Sequence, residues 1–336
     1  MAAKKTTPRA AKAKRSKASY KKAKATRAKR PAAPKGRTVA SRSPNAARLT
    51  AELRDSIERD IAERTKVHQA DVQRLKVALR PDERPPLVIL AHGDSWFDYP
   101  CHGNTYTPLS PTDIVVQLGK MGTPPPKILN LSHYGDATTD EMGLAKQQRL
   151  IKALSTPANW LSGQPDAILF SGGGNDIAGD PFCIYLNYQG TSSPGLDPQR
   201  FAGRLDSIQA SYLDLFLFRT RWAQGVPIFG HCYDYGQPMQ PHPPCAGPWL
   251  LPGLTFTGWN PQQGAQILHD ALDKFEAILL GLESYGNGQY NFTVVKTLNT
   301  LSLTDWANEL HPHPGGFVKL AQKFLAALQS HFPGRI

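Results

Sequence analysis

Four short motifs in this 336-residue chain contain residue types that suit nucleophilic attack on a carbonyl group. A serine hydroxyl is a poor nucleophile at neutral pH and needs a base beside it. The negative charge that develops on the attacked oxygen needs fixed hydrogen-bond donors, such as backbone N–H groups or a side-chain amide. The motifs are "GDS" (93–95), "LSHYGDATT" (131–139), "GGGND" (172–176) and "NELHPHPGG" (308–316). They offer Ser95 as nucleophile, His311 as base, and Gly135 and Asn175 beside the developing charge.

Each of these residues also has a purely structural interpretation. Ser95 and Asn175 are of types that commonly cap helix N-termini. Gly135 fits an ordinary turn, and His311 precedes a proline, where many histidines have no chemical role. A serine in "GDS" alone would therefore indicate little, and the elements around the motifs have to decide.

Those elements are short apolar strands that alternate with helices after Pro85. Unbroken apolar strands separated by helices predict an α/β protein with a parallel sheet covered on both faces. Each motif follows a strand, so all four should meet at the carboxyl edge of the sheet, where ligands bind in such folds. The predicted strands are 86–90, 127–132, 167–172, 226–231 and 292–298, and the clearest helices are 200–223, 261–283 and 315–331.

In this order and at these strand ends, the motifs resemble the SGNH (GDSL-type) hydrolase superfamily, which is named for its Ser, Gly, Asn and His. The resemblance covers roughly residues 86–333 and assigns those four letters to Ser95, Gly135, Asn175 and His311. It favours His311 over its neighbour His313, because the family's His-Pro pair aligns at 311.

The resemblance implies a flavodoxin-like three-layer sandwich with a five-stranded parallel sheet in residues 83–336. It implies a cofactor-independent, metal-independent hydrolase of the carboxylesterase, lipase or deacetylase type, acting on a small-molecule, lipid or carbohydrate ester. The oxyanion donors would be the backbone N–H groups of Ser95 and Gly135 and the amide of Asn175. Aromatic, proline-rich segments at 177–199 and 233–259 are expected to roof the site and favour an apolar acyl or aryl group.

One position departs from the family pattern, which has Asp three residues before the histidine. Here that residue is Asn308, whose amide can orient the ring but cannot stabilise imidazolium by charge. Loss of that charge costs about 10⁴ in turnover in the serine protease template. Asp305 is the preferred third catalytic residue, with Asn308 its rival and Glu309 next; the departure is also compatible with a catalytically weak hydrolase.

The charge distribution separates a basic tail from the rest of the chain. Residues 1–51 contain 17 Lys and Arg and no acid, whereas residues 52–336 carry 22 Lys and Arg against 27 Asp and Glu. Residues 1–45 are predicted to be disordered, since they have almost nothing apolar to bury. They support an alternative function: nucleic-acid or other polyanion binding, with a catalytically weak hydrolase-like body. Residues 46–82 predict an amphipathic helical segment that packs on the body or self-associates.

The remaining composition narrows the class of protein further. Four scattered cysteines are too few for a disulfide scaffold in a chain of this length. Neither a secretory signal nor a run of roughly 18 apolar residues is present, so a cytoplasmic location without a transmembrane segment is expected. A zinc site of Cys232, His242 and Cys245 has no standard spacing, so no metal site is expected.

Overall fold

A computed structural model of the chain describes residues 44–80, 82–99, 112–191, 194–239 and 247–336. The chain divides into two compact units, Met1–Thr50 and Ala51–Ile336. Of the first unit, only the residues from 44 onward are described. Of the predicted tail 1–45, only residues 44 and 45 are among the described residues. Two of the zinc candidates, His242 and Cys245, lie outside them.

The second unit is built on five parallel strands in the order β2-β1-β3-β4-β5. Most strand residues are buried, as their apolar sequences require of a sheet with helices on both faces. All five predicted strands are present, and the α/β, flavodoxin-like fold is confirmed. The strands are β1 (Val88–Gly93), β2 (Lys127–Asn130), β3 (Ala167–Ser171), β4 (Ile228–His231) and β5 (Phe292–Val295).

Helices cover both faces of this sheet and complete the three layers. The helices of the described residues are α1 (Pro44–Ala78), α2 (Ile114–Leu118), α3 (Thr138–Glu141), α4 (Leu144–Leu154), α5 (Gly174–Ile177), α6 (Pro198–Trp222), α7 (Leu251–Phe256), α8 (Pro261–Ser284) and α9 (Pro314–His331). Helices α2 and α9 pack together, as do α6 and α8. Local signals place the starts of the long helices: Asp197 caps α6, and Asn260 and Gln263 form a capping box on α8.

Residues 51–78 of helix α1 belong to the second unit and pack within it through one face of the helix. Ile61, His68 and Val72 are buried, and His68 Nε2 lies 2.9 Å from the Asn159 carbonyl oxygen. Leu53, which precedes Ile57 and Ile61 at a spacing of four in the sequence, is 56% exposed. At 3.6 residues per turn, a spacing of four drifts about 40° per step, so Leu53 points about 80° away from Ile61.

Among the described residues, no helix combines the length and apolarity that crossing a bilayer would require. That part of the chain also holds no group of three or more His, Cys, Asp or Glu arranged around a possible metal position. Cys232 is buried, with its Sγ 3.6 Å from Thr297 Oγ1, and burial raises the pKa of its thiol.

The packing of α1 predicts how two valines on one helix should differ. Val72→Ala should lower the free energy of unfolding by about 2 kcal/mol, because it removes buried methyl groups and leaves a cavity. Val77→Ala is the matched control, since Val77 is 78% exposed and should change stability by less than about 0.5 kcal/mol. Denaturant titration monitored by circular dichroism measures both. Equal effects would contradict the docking of α1 through Val72.

Candidate active site

The end of β1 approaches the end of β3 so closely that only glycine fits between them. A Cβ on Gly93 would lie 2.4 Å from the Ser171 carbonyl oxygen, which is closer than such atoms can approach. The next residue, Asp94, donates its N–H to that same oxygen at 3.0 Å. Ser95 therefore begins a turn whose backbone is fixed directly to the neighbouring strand.

The Asp94 carboxylate joins the ends of three strands beneath this turn. It accepts hydrogen bonds from Ser171 Oγ at 2.7 Å, from Tyr233 Oη at 2.7 Å and from the Trp96 N–H at 3.0 Å. Burial raises the pKa of Asp94 to about 6, although the bonds from Ser171 and Tyr233 act in the opposite direction. Tyr233 itself has a φ of 61°, in the left-handed region that few non-glycine residues occupy.

A second serine–histidine pair, Ser171 and His231, forms part of this support. His231 Nδ1 accepts the Tyr233 N–H at 3.2 Å, so Nε2 carries the proton and donates to Ser171 Oγ at 2.8 Å. Ser171 in turn donates its hydroxyl hydrogen to Asp94. Both members of the pair are fully buried. With its proton directed at a carboxylate and its lone pair facing an N–H, Ser171 is placed as a structural link.

The first pair has the opposite arrangement. Ser95 Oγ lies 2.7 Å from His311 Nε2, across a sequence separation of 216 residues. The Trp96 indole Nε1 donates to the Leu310 carbonyl oxygen at 3.0 Å and so ties the serine turn to the histidine loop. The Tyr99 ring packs 4.6 Å from the His311 ring, centroid to centroid, at 32°. Aromatic residues that follow Ser95 in the chain therefore hold its partner in position.

Asn308 fixes the orientation of the His311 ring. Its Oδ1 accepts the N–H groups of His311 at 2.8 Å and Leu310 at 3.0 Å and lies 3.1 Å from His311 Nδ1. Its Nδ2 donates to Tyr99 Oη at 3.1 Å. Because Oδ1 faces the ring, Nδ1 carries the imidazole proton, which leaves the Nε2 lone pair directed at Ser95.

The two acids considered as the third catalytic residue, Asp305 and Glu309, accept hydrogen bonds from groups other than the His311 ring. This differs from the preferred prediction, in which Asp305 contacts that ring. The Asp305 carboxylate accepts from Lys319 Nζ at 2.7 Å and from Ser302, and the bond with Lys319 lowers the pKa of Asp305 to about 2. A 3₁₀ turn, Leu303–Asp305, directs this side chain towards α9. Glu309 accepts backbone N–H groups of the 239–251 segment. The imidazole Nδ1 position thus belongs to Asn308.

The oxyanion candidates lie at the ends of β1, β2 and β3. Gly135 has a φ of 82°, a conformation that favours glycine; the space beside its Cα is open. Asn175 Nδ2 donates to the Asp136 carbonyl oxygen at 3.0 Å, which leaves its second amide hydrogen for another acceptor. Within the described part of the chain, the N–H groups of Ser95 and Gly135 have no acceptor. The adjacent Asp176 has a structural contact, accepting the Thr138 N–H at 2.8 Å.

A narrow cleft, partly open to solvent, brings three of the four predicted residues together. Its lining includes Ser95, Asn175, His311, Asp234, Ile177, Ala178, Leu268, Leu272 and Leu310. Burial lowers the pKa of His311 to about 3, so the ring is neutral and able to accept a proton at neutral pH. A buried hydroxyl, a neutral imidazole and free N–H donors beside an apolar cleft suit nucleophilic attack on an acyl carbonyl.

Asp94, Trp96 and Tyr99 are residues of this site that the motif comparison did not single out. All three lie within five positions of Ser95, in "DSWFDYP", and Trp96 and Tyr99 each combine an aromatic ring with a polar atom. Side chains of that kind near a nucleophile commonly find buried partners. The high frequency of polar aromatic residues just after Ser95 is the sequence signal that could have identified these site residues.

Comparison with known proteins finds similarity among solved structures. The lipase Lip_vut3 from a goat rumen metagenome is 15% identical, with a TM-score of 0.48 over 72% of this chain and 97% of that one. An extracellular lipase from Streptomyces rimosus is 16% identical, with a TM-score of 0.44 over 72% and 98%. Est24, a carbohydrate acetylesterase from Sinorhizobium meliloti, is 12% identical, with a TM-score of 0.42 over 73% and 99%. No family model and no curated protein matches the chain.

The structural assignment of Ser171 predicts an effect on stability. Ser171→Ala removes the donor to Asp94 and the acceptor of His231, leaving both buried groups unpaired, so the free energy of unfolding should fall by about 1–3 kcal/mol. Ser162→Ala is the control, because Ser162 is exposed in a bend and should change stability by less than about 0.5 kcal/mol. Denaturant midpoints of the two variants make the comparison. A Ser171→Ala protein as stable as the parent would argue against this role.

Proposed function

We propose that this protein is a serine hydrolase of carboxylic esters, of the SGNH type, with Ser95 as nucleophile and His311 as base. The observation that carries the proposal is the 2.7 Å contact between Ser95 Oγ and His311 Nε2 at the edge of the cleft. Transfer of the hydroxyl proton to a base requires such a distance. The parallel-sheet fold and the order of the four motifs along it also support this assignment.

The reaction we propose has two stages. Ser95 Oγ attacks the ester carbonyl carbon while His311 Nε2 accepts the hydroxyl proton. The tetrahedral intermediate then expels the alcohol, which takes that proton from His311, and an acyl-serine remains. A water molecule, deprotonated by His311, attacks the acyl-serine; the acid leaves and the proton returns to Ser95. The proposal requires no redox step and no co-reactant other than water.

The charge on the carbonyl oxygen is assigned to three donors. They are the N–H groups of Ser95 and Gly135 and the second amide hydrogen of Asn175. Support comes from the lack of acceptors for those N–H groups within the described residues and from the single bond that Asn175 Nδ2 makes to Asp136. Each such donor is typically worth about 10²–10³ in rate.

Asn308 takes the place of a carboxylate in this proposal. Its bond to Nδ1 holds the productive tautomer, but it adds no negative charge beside the imidazolium that forms during attack. Burial lowers the pKa of His311 to about 3, so forming the imidazolium in this site costs free energy. The nearby oxyanion is then the main negative charge that stabilises the imidazolium. The rate therefore depends jointly on the base and on the oxyanion donors.

Chemical labelling tests the identity of the nucleophile. A fluorophosphonate probe reacts with an activated serine, so we expect it to label the intact protein and fail to label Ser95→Ala. Ser171→Ala is the matched control, because Ser171 also lies beside a histidine but donates its proton to Asp94. We expect that variant to keep its label. Labelling that survives in Ser95→Ala would overturn the assignment, and no labelling in any variant would favour a catalytically inactive body.

Asn308→Asp tests the neutral third residue through the pH profile. A carboxylate beside Nδ1 favours imidazolium, so the pKa of His311 should rise and the acid limb of kcat/KM should move to higher pH. At pH 8, where the ring is neutral in both proteins, the better-stabilised imidazolium should raise kcat by about tenfold for each pKa unit gained. Hydrolysis of p-nitrophenyl butyrate from about pH 2.5 to pH 9 measures both effects, since the limb of the parent is centred near the pKa of His311, about 3.

Two further variants complete that test. Asn308→Ala should lower kcat by up to about 10⁴, because nothing then holds the tautomer. Asp305→Asn should leave the acid limb where it is, since Asp305 pairs with Lys319. A limb that shifts in Asp305→Asn, or stays fixed in Asn308→Asp, would transfer the third role to Asp305.

A further inference from the structure

Two segments beside the cleft contain no charged side chain. Residues 181–196 and 235–269 have no Asp, Glu, Lys or Arg. A chain that is 20% charged would place about ten such residues in stretches of this combined length. The segments follow β3 and β4, so both begin at the carboxyl edge of the sheet, where Ser95 lies. Both of these uncharged segments thus begin at the edge that holds the cleft.

The described parts of these segments form one connected surface, which we call the uncharged rim (181–191 and 247–259). The Gln189 N–H donates to the Thr257 carbonyl oxygen at 2.9 Å. The Trp259 indole Nε1 donates to the Asn187 carbonyl oxygen at 2.8 Å. Helix α7 also packs on the 3₁₀ turn Asp180–Tyr185. These bonds hold the rim together as a single structural unit.

Large apolar side chains stand exposed on this rim. Ile184 is 54% exposed, Tyr188 is 56% exposed and Phe256 is 70% exposed. The rings of Tyr188 and Phe256 lie 6.1 Å apart, centroid to centroid. Single exposed apolar residues are common on proteins, but a group of them on segments without charged side chains marks an interaction site. Arg200 flanks this group, with its guanidinium donating to Asn187 Oδ1 at 2.8 Å.

The rim is fastened to the candidate active site through Glu309. This buried carboxylate accepts the N–H groups of Leu250 and Leu251, each at 2.8 Å, and it lies two residues before His311. The Trp249 ring lies 5.5 Å from the His311 ring, centroid to centroid. The Trp249 part of the rim therefore lies beside the imidazole that contacts the proposed nucleophile.

We propose that the uncharged rim docks on the surface of an aggregated, electrically neutral lipid, whose ester then enters the cleft. This inference rests on the proposed ester hydrolysis and names its substrate class. Apolar and aromatic side chains gain free energy at a lipid–water boundary, where charged side chains would lose hydration. A lipid surface fits better than a second copy of this chain, because the rim borders a cleft that has to admit substrate.

The binding test uses full-length Ser95→Ala protein, which cannot consume the lipid. We expect it to sediment with phosphatidylcholine vesicles in 0.5 M NaCl, where contacts of the basic tail with phosphate are suppressed. Adding Ile184→Ser and Phe256→Ser should weaken partitioning about tenfold or more. Leu217→Ser is the matched control: Leu217 is 71% exposed on the later part of α6, which leads back to the amino edge of the sheet. It should partition like the parent.

Activity gives an independent measurement. With Ser95 intact, the Ile184→Ser, Phe256→Ser double variant should lose rate on emulsified tributyrin about tenfold more than on dissolved p-nitrophenyl butyrate. Equal losses on the two substrates, or vesicle binding equal to the parent's, would overturn the docking surface. A dimer that dissociates in the double variant, seen by sedimentation equilibrium, would overturn it in favour of self-association. Vesicle binding without any fluorophosphonate labelling would support docking and reject the hydrolase.

Discussion

The chemistry of this protein depends on one hydrogen bond, between Ser95 Oγ and His311 Nε2, which joins residues 216 positions apart. Neither group is reactive alone, because the hydroxyl needs a base and the imidazole needs a fixed orientation. The Trp96–Leu310 bond sets the separation of the two loops, and Asn308 sets the angle of the ring. A displacement of about 1 Å would lower the rate by about 10²-fold.

Two serine–histidine pairs at one end of a sheet show that proximity alone does not make a nucleophile. In the buried pair, His231 donates a hydrogen bond to Ser171, and Ser171 donates one to the Asp94 carboxylate, so the serine hydroxyl hydrogen points away from the imidazole. In the other, the imidazole lone pair faces the Ser95 hydroxyl, and the cleft gives a substrate access. The direction of the protons and access to solvent distinguish a structural link from a reactive pair.

Two buried carboxylates near the cleft, those of Asp234 and Glu309, accept hydrogen bonds from backbone N–H groups. Asp234 gathers the N–H groups of 299–301, as Glu309 gathers those of the 239–251 segment. Burying such carboxylates is tolerable because each accepts several hydrogen bonds. The loops that carry His311 and the uncharged rim are thereby fixed, while Nδ1 of the imidazole faces the neutral amide of Asn308. The carboxylates thus hold the loops in position, and they are separate from the oxyanion that the proposed N–H and amide donors would stabilise.

Apolar strands that alternate with helices were enough to predict the parallel sheet, because this pattern depends on local periodicity. Four motifs that each follow a strand were then enough to predict that the motifs meet at one edge of the sheet. The partner of His311 could not be predicted this way. Asp305 and Asn308 lie three residues apart in an irregular loop, where side-chain directions follow from packing against distant segments. Lys319 on α9 takes Asp305, and Tyr99 beside β1 holds Asn308. Such choices depend on contacts between residues far apart in the chain, which exist only once the tertiary structure has formed.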